Sequence, residues 1–337
     1  MGLESTAAQG ELSLAKLWRS DSRARRMVRE SGILGALIIL VVVGAIISPH
    51  FLKIENLINV SRQIAIAGIL GVGMTFVILT SGIDLSVGAI VGIVSVISAG
   101  MMRDTIPWPV AAITGLIAGG FFGALNGFGI TRGNLQPFIM TLGMMVIARG
   151  VSMTISEGQP ISIREATAGS FDWLGKGDFL GIPVPVWLFL IITILSALVL
   201  TYTPFGRQIY AVGDNAEAAR LSGINVNRIT FSVYVISGVL AAVSALILVS
   251  RLNTGHPDQG TGFELDAIAI VVIGGTSLFG GEGGVRGTLI GAAIVAVLAN
   301  LLNLVGVSPF SQQIVKGLII IGAVLLERRK AVLAERR

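Results

Sequence analysis

The chain contains no cysteine. That excludes disulfides, thiol chemistry and thiolate metal sites. Histidine is nearly absent too, with only His50 and His256. They stand apart in the sequence, and a metal centre needs several ligands together. Both are expected as solvated loop residues. No glycine-rich segment runs into Gly-Lys-Ser or Gly-Lys-Thr. The chain therefore has no phosphate-binding loop of that type and is not expected to hydrolyse ATP. No Gly-x-Ser-x-Gly elbow or close His/Asp/Ser set appears, which argues against a membrane hydrolase. Charge is scarce at 13% of residues, where a soluble domain carries about a quarter. Alternation with a period of two is missing, so a membrane β-barrel is excluded.

What fills the chain is apolar. Hydrophobic residues make up 53% of the sequence, and mean hydropathy is +0.84. Leu34 to Ile47, Trp187 to Leu200 and Thr230 to Val249 are long aliphatic runs. Runs of this length can cross a hydrocarbon layer about 30 Å thick. The reading is an all-α polytopic membrane protein with about ten spans. They fall near 31–48, 60–80, 85–102, 110–130, 136–155, 184–202, 229–250, 266–279, 287–305 and 312–326. The eighth and tenth are short enough to be half-helices or tilted segments. The first apolar stretch has no small-residue cleavage site after it and reads as a retained span.

The net charge of +5 does not suggest nucleic acid, because most of the positive charge lies at the chain ends. Lys and Arg instead set orientation. With both ends cytoplasmic, sixteen of the 24 basic residues fall on the inner side. This divides the chain into an inner tail, 1–30, a membrane domain, 31–326, and a second inner tail, 327–337. Trp108 and Trp187 then sit at outer helix ends, as an aromatic belt places them. A long outer loop covers 156–183 and a long inner one 203–228.

Four glycines, Gly115, Gly119, Gly123 and Gly127, recur at every fourth position of the fourth span. They line one helix face, where another helix can approach closely. Packing is favoured over a ligand role. Two glycine-rich turns echo one another, around Gly82, Asp84 and Ser86 and around Gly274, Gly275 and Gly281. Asp84 is the one acid between Arg62 and Arg103. It is expected at an inner turn, capping the third span near Ser86 and Val87. Direct contact with a substrate or partner remains the alternative. Arg149 and Lys316 are basic residues inside spans, which either snorkel outward or face a path or partner.

The inner loop carries a short helix with both ends marked. Asp214 or Asn215 can cap its start, with Glu217 placed for a capping box. Ala218, Ala219 and Arg220 continue it, and Gly223 can end it. So short a helix needs a surface to lie on, its own bundle or another protein.

Five long segments resemble the ribose-type ABC sugar importer permeases. They are GMTFVILTSGIDLSVGA from Gly73, NGFGITRGNLQPFIMTLG from Asn126 and TPFGRQIYAVGDNAEAARLSGINV from Thr203. The others are GTGFELDAIAIVVIGGTSLFGGEGG from Gly260 and NLLNLVGVSPFSQQIVKG from Asn300. The resemblance covers roughly 31–326. It implies a permease of the bacterial inner membrane that works in a pair, as a homodimer or with a close paralogue. Its implied partners are ABC ATPase subunits, which bind ATP and magnesium, and a periplasmic sugar-binding protein. No cofactor is expected in this chain. Glu217 to Gly223 resembles the segment that couples a permease to its ATPase. Arg164, Glu165, Asp172 and Lys176 are candidates for docking the binding protein. Asn126, Thr141, Arg149, Asn300 and Asn303 are candidates for lining the sugar path. The runner-up is a stand-alone secondary transporter. An exporter or lipid-handling enzyme is a third class, opposed by the missing catalytic groups.

Overall fold

The structure, a computed structural model, describes residues 32–164, 169–308, 310–319, 321, 322 and 325. Both basic tails and Glu165 lie outside the described residues. Every one of the ten expected spans contains a helix. The first five are α1 (Gly32–Ile47), α2 (Ile54–Leu79), α3 (Val87–Arg103), α4 (Trp108–Thr131) and α5 (Pro137–Ser156). After the short α6 (Asp172–Lys176) come α7 (Val184–Tyr202), α8 (Pro204–Asp214) and α9 (Ala216–Leu221). The chain ends with α10 (Val226–Leu252), α11 (Phe263–Ile273), α12 (Val285–Leu304) and α13 (310–319). Helices α4, α5, α7 and α8 open with proline in the first turn. There its fixed φ suits the helix and its missing N–H costs nothing.

Among the described residues, six helices are long and apolar enough to cross a membrane: α2, α4, α5, α7, α10 and α12. Their burial differs with position. The most apolar stretch of α2 is 78% buried, that of α5 only 22%. Helix α2 is thus a core element, and α5 turns most of its apolar surface outward. Helix α10 runs through the centre, packed on α2, α3 and α4.

The α4–α10 contact is made by the glycine face. A Cβ on Gly119 would overlap the Gly238 carbonyl, and one on Gly123 the Tyr234 carbonyl. Gly127 lies against Phe231, and Gly115 against Ser98 of α3. Backbones that close gain dispersion contacts that lipid tails cannot match.

One end of the bundle carries the 157–183 loop. Strand β1 (Ile161–Ser162) pairs antiparallel with a later strand, Thr254–Gly255. Between them, β2 (Asp178–Phe179) and β3 (Ile182–Pro183) form a small hairpin. Thr254–Gly255 is β4. The loop is packed down: Phe171 is buried, Ser250 Oγ donates to its carbonyl at 2.6 Å, and Gly175 N donates to the same Oγ at 2.8 Å. Trp108 Nε1 donates to Ser170 Oγ at 2.7 Å. This is the loop end. The opposite end carries the turns 80–86 and 274–284 with α8 and α9, and is the junction end.

Two segments reach inside the bundle. From β4 the chain runs back along α3, Gly255 against Ser95, Pro257 against Gly92 and Gly260 against Gly88. Ser95 Oγ donates to the His256 carbonyl at 3.1 Å. Helix α11 therefore begins deep in the molecule, beside the first turn of α3. It stops at Ile273, short of the expected 279, because Gly274 and Gly275 turn the chain.

Close approach makes a direct prediction. Gly119→Ala is expected to lower the thermal midpoint in detergent by several degrees, through overpacking of about 1–3 kcal/mol. Gly143→Ala, at a helix position with open space around it, is expected to leave the midpoint unchanged or raise it slightly. Equal effects in thermal unfolding would show that the glycine face does not hold the bundle.

Candidate functional site

Helix α9 is the most exposed ordered element of the junction end. Of its residues only Ala219 is buried. Asn215 caps it, its Oδ1 accepting from Ala218 N at 2.9 Å. Asp214 is instead the last residue of α8. The expected capping box does not form, because Glu217 reaches forward to Arg220 at 2.6 Å. That hydrogen bond, with the guanidinium charge behind it, holds the Glu217 carboxyl below its ordinary range. The helix ends in a paired C-cap. Gly223, at φ 83°, donates to the Arg220 carbonyl and Ile224 to that of Ala219, both at 3.0 Å. Leu221 projects from the helix 76% exposed.

The end of α8 is wedged between the two glycine turns. A Cβ on Gly213 would overlap the Leu79 carbonyl and come within 2.6 Å of Gly281 N. Gly281 N donates to that same Leu79 carbonyl at 3.1 Å. Ser81 Oγ bridges to the Gly213 carbonyl at 3.1 Å and the Phe279 carbonyl at 2.7 Å. Tyr210 Oη donates to the Gly283 carbonyl at 3.0 Å. The turns that echo in sequence are thus joined in space, with the end of α8 between them. Behind them, Gly274 of one turn meets Gly287 of α12 backbone to backbone, and Gly275 follows at φ 82°.

Asp84 lies deeper than expected. It is fully buried. Its Oδ1 accepts from Ser86 N at 3.0 Å and Ser86 Oγ at 2.6 Å. Its Oδ2 accepts from Ser237 Oγ at 2.8 Å, near the middle of α10. It binds Ser86 as expected, and it also ties the turn before α3 to α10 inside the bundle. No cation lies within ion-pair distance among the described residues. Asn126 Nδ2 extends the network to α4, donating to Ser86 Oγ at 2.8 Å. Gly82 lets the Tyr234 hydroxyl approach, and that Oη donates to the Ile83 carbonyl at 3.3 Å. Thr141 of α5 reaches the same carbonyl at 3.3 Å.

The path candidates do not form one set. Asn126 and Thr141 belong to the Asp84 network and are buried. Asn300 exchanges reciprocal hydrogen bonds with Asn56 of α2, at 2.8 and 3.0 Å, near the loop end. Asn303 is exposed and accepts from Gln312 at 3.4 Å. Arg149 is half-buried and donates to the carbonyls of Pro257 and Gln259, pinning the segment that enters along α3. Lys316 pairs with Asp266 of α11 at 2.7 Å. At the loop end Arg164 is exposed, while Asp172 and Lys176 pair with each other at 3.0 Å. The Lys176 carbonyl also accepts from Arg62 at 3.0 Å.

Sequence reading missed Ser81, Tyr210, Gly213, Leu221 and Phe279. The last two are large apolar side chains exposed on the junction end. Their signal, an apolar residue ending a short polar helix and another in a glycine-rich turn, was present but unremarkable in so apolar a chain.

Residues 56–324 match the family described as the permease component of branched-chain amino acid transport systems. The ribose import permease protein RbsC of Bacillus subtilis (strain 168) is 46% identical over 295 residues, covering 88% of this chain and 91% of that protein. The D-allose transport system permease protein AlsC of Escherichia coli (strain K12) is 37% identical over 294 residues, covering 86% and 89%. The L-arabinose transport system permease protein AraH of the same strain is 33% identical over 326 residues, covering 97% and 95%. No solved structure matches the chain.

The Asp84 network is expected to discriminate between two substitutions. Asp84→Asn keeps an acceptor for Ser86, and its amide can donate to Ser237, so a near-normal thermal midpoint is expected. Asp84→Ala strands buried donors at about 1–3 kcal/mol each and is expected to destabilise strongly. Equal damage from both, read by thermal unfolding in detergent, would assign the role to the charge and not to the hydrogen bonds.

Proposed function

The chain belongs to the ABC importer permease family, and on that premise we propose that it carries a ribose-like monosaccharide across the bacterial inner membrane. Members of the family are transmembrane subunits, and ATP is hydrolysed by a separate subunit, so the chain is not itself an enzyme. It is a multi-pass membrane protein, and the family's role implies ATPase and substrate-binding-protein partners. The observation that carries the sugar is the 46% identity, over most of both chains, to a permease named for ribose.

The finer features belong to this reading. Two copies, identical or closely related, form the translocation unit. Ten helices cross the membrane, the short α3 and α11 completing their crossings through the extended segments beside them. Both tails lie in the cytoplasm, which makes the junction end the inner face. Helix α9 docks in the ATPase, with the Glu217–Arg220 pair and Leu221 at the contact. ATP and magnesium are held by that partner, with no cofactor in this chain. The binding protein delivers sugar at the loop end, over the 156–183 loop. A bound sugar needs uncharged polar groups, and Thr75, Asn126 and Asn300 are engaged in bonds between helices. The path is therefore assigned to the surface between the two copies.

A second reading, import of a branched-chain amino acid, is favoured by the family's description. An uptake assay separates the two. Vesicles holding the complete transporter are expected to accumulate labelled ribose with ATP inside, unaffected by ionophores. Leucine uptake without ribose uptake would favour the second reading, and dependence on an ion gradient would overturn both. Leu221→Asp is expected to abolish co-purification of the ATPase while leaving the thermal midpoint unchanged, since Leu221 packs on little within the chain.

A further inference from the structure

The junction end poses a mechanical problem that the docking of α9 does not solve. Helix α9 is attached to the bundle by few contacts of its own, with only Ala219 buried. Along the chain it leads to α10 on one side and through α8 to α7 on the other. Neither route reaches α3 or α12, the helices that the two glycine turns begin. Side-chain packing of α10 on α3 and of α7 on α12 offers one non-covalent route, and the backbone wedge at Gly213 offers a stiffer and more direct one.

Three backbones meet there without intervening side chains. Leu79 ends α2, Gly213 lies at the end of α8, and Gly281 lies in the turn before α12. The Leu79 carbonyl faces Gly213 and accepts from Gly281 N. Backbone packed on backbone is stiff, because no rotamer can absorb a displacement. Ser81 straps the three together through a single hydroxyl, which reaches both the Gly213 and Phe279 carbonyls. To do so it holds φ at 60°, an uncommon left-handed conformation for a residue other than glycine. Such strain persists where surrounding structure fixes it, and it gathers at switch regions. Gly280, at φ 86°, leaves room for the serine, since a Cβ there would overlap Ser81 Oγ. Tyr210, one helical turn before Gly213, adds a second strap to Gly283.

We infer that the Leu79–Gly213–Gly281 clasp, strapped by Ser81 and Tyr210, is the relay that imposes movement of α8 and α9 on α3 and α12. It stays closed through the cycle and carries both glycine turns as one body. Ser81 and Tyr210 are positioning residues; they touch neither sugar nor ATP. The inference rests on the function proposed above, because it needs an ATPase acting on α9.

The test compares the unaltered transporter with Ser81→Gly and with Ser81→Gly/Tyr210→Phe. Each is reconstituted in vesicles with its ATPase and binding protein. Glycine relieves the φ strain while removing the strap, so folding is preserved. Three quantities are read: ATPase bound per permease, ATP hydrolysed, and sugar imported from a panel of labelled ribose, allose and arabinose. ATPase binding and hydrolysis are expected to stay near normal. Sugar imported per ATP is expected to fall by about fivefold in the single variant and further in the double. A merely structural role would lower yield and both rates together and leave that ratio unchanged. An unchanged ratio in the double variant overturns the relay while the function reading stands. An unaltered complex that binds no ATPase, or imports none of the three sugars, overturns the function reading and the relay with it.

Discussion

Close approach of one backbone to another is the constraint on which the rest of this structure depends. Inside a bilayer no hydrophobic force draws helices together, since lipid is as apolar as leucine. Contact must come from packing that lipid cannot reproduce. Glycine supplies it wherever the chain crosses itself: Gly119 on Gly238, Gly274 on Gly287, Gly260 on Gly88, Gly213 on Leu79. The first of these sets how α4 lies on α10. The second seats α11 on α12, and the third admits the segment that leads into α11. The fourth joins α8 to both glycine turns.

With backbones this close, polar side chains are drawn into bonds between helices. Thr75 meets Thr288 at 2.6 Å, tying α2 to α12. Asn56 and Asn300 tie the same pair farther along. Asp84 collects Ser86, Ser237 and, through Ser86, Asn126. A buried carboxylate without a cation is costly, and here three neutral donors offset that cost. These polar groups are therefore engaged in holding helices together.

Much of this was legible in the sequence, and the limits have a physical pattern. Apolar runs located a helix at every expected span, because a chain in lipid must close its own hydrogen bonds. A four-residue glycine period marked the α4 face, because helical geometry turns period into position. The start of α9 was narrowed to Asp214 or Asn215 and its end was legible from Gly223, since caps act locally. Depth was not legible. Asp84 reads as a surface turn because its neighbours in sequence are turn residues, yet α3 begins inside the bundle and carries the turn with it. Partners were not legible either: nothing near Asn300 points to Asn56, and nothing near Ser81 announces a left-handed serine bridging two distant carbonyls. Those facts belong to long-range packing, which one sequence does not encode as a local pattern.

The depth of Asp84 and the clasp at Gly213 bear on one another. The foot of helix α3 is buried, and the turn 80–86 holds it. That turn is fixed at one side by the Asp84 bonds to α10 and at the other by the Ser81 strap to α8 and the 274–284 turn. The foot of α3 in turn packs on Gly260 and lies beside Glu264, whose Oε2 is buried without a hydrogen-bond partner among the described residues. On the relay inferred above, a displacement entering at α8 arrives at a place where two helices, α3 and α11, both begin. Packed cores respond to such a push by switching between arrangements more readily than by bending. Two helices starting at the same depth, one tied to the junction end and one entered from the loop end, are placed so that closure at one face can be felt at the other.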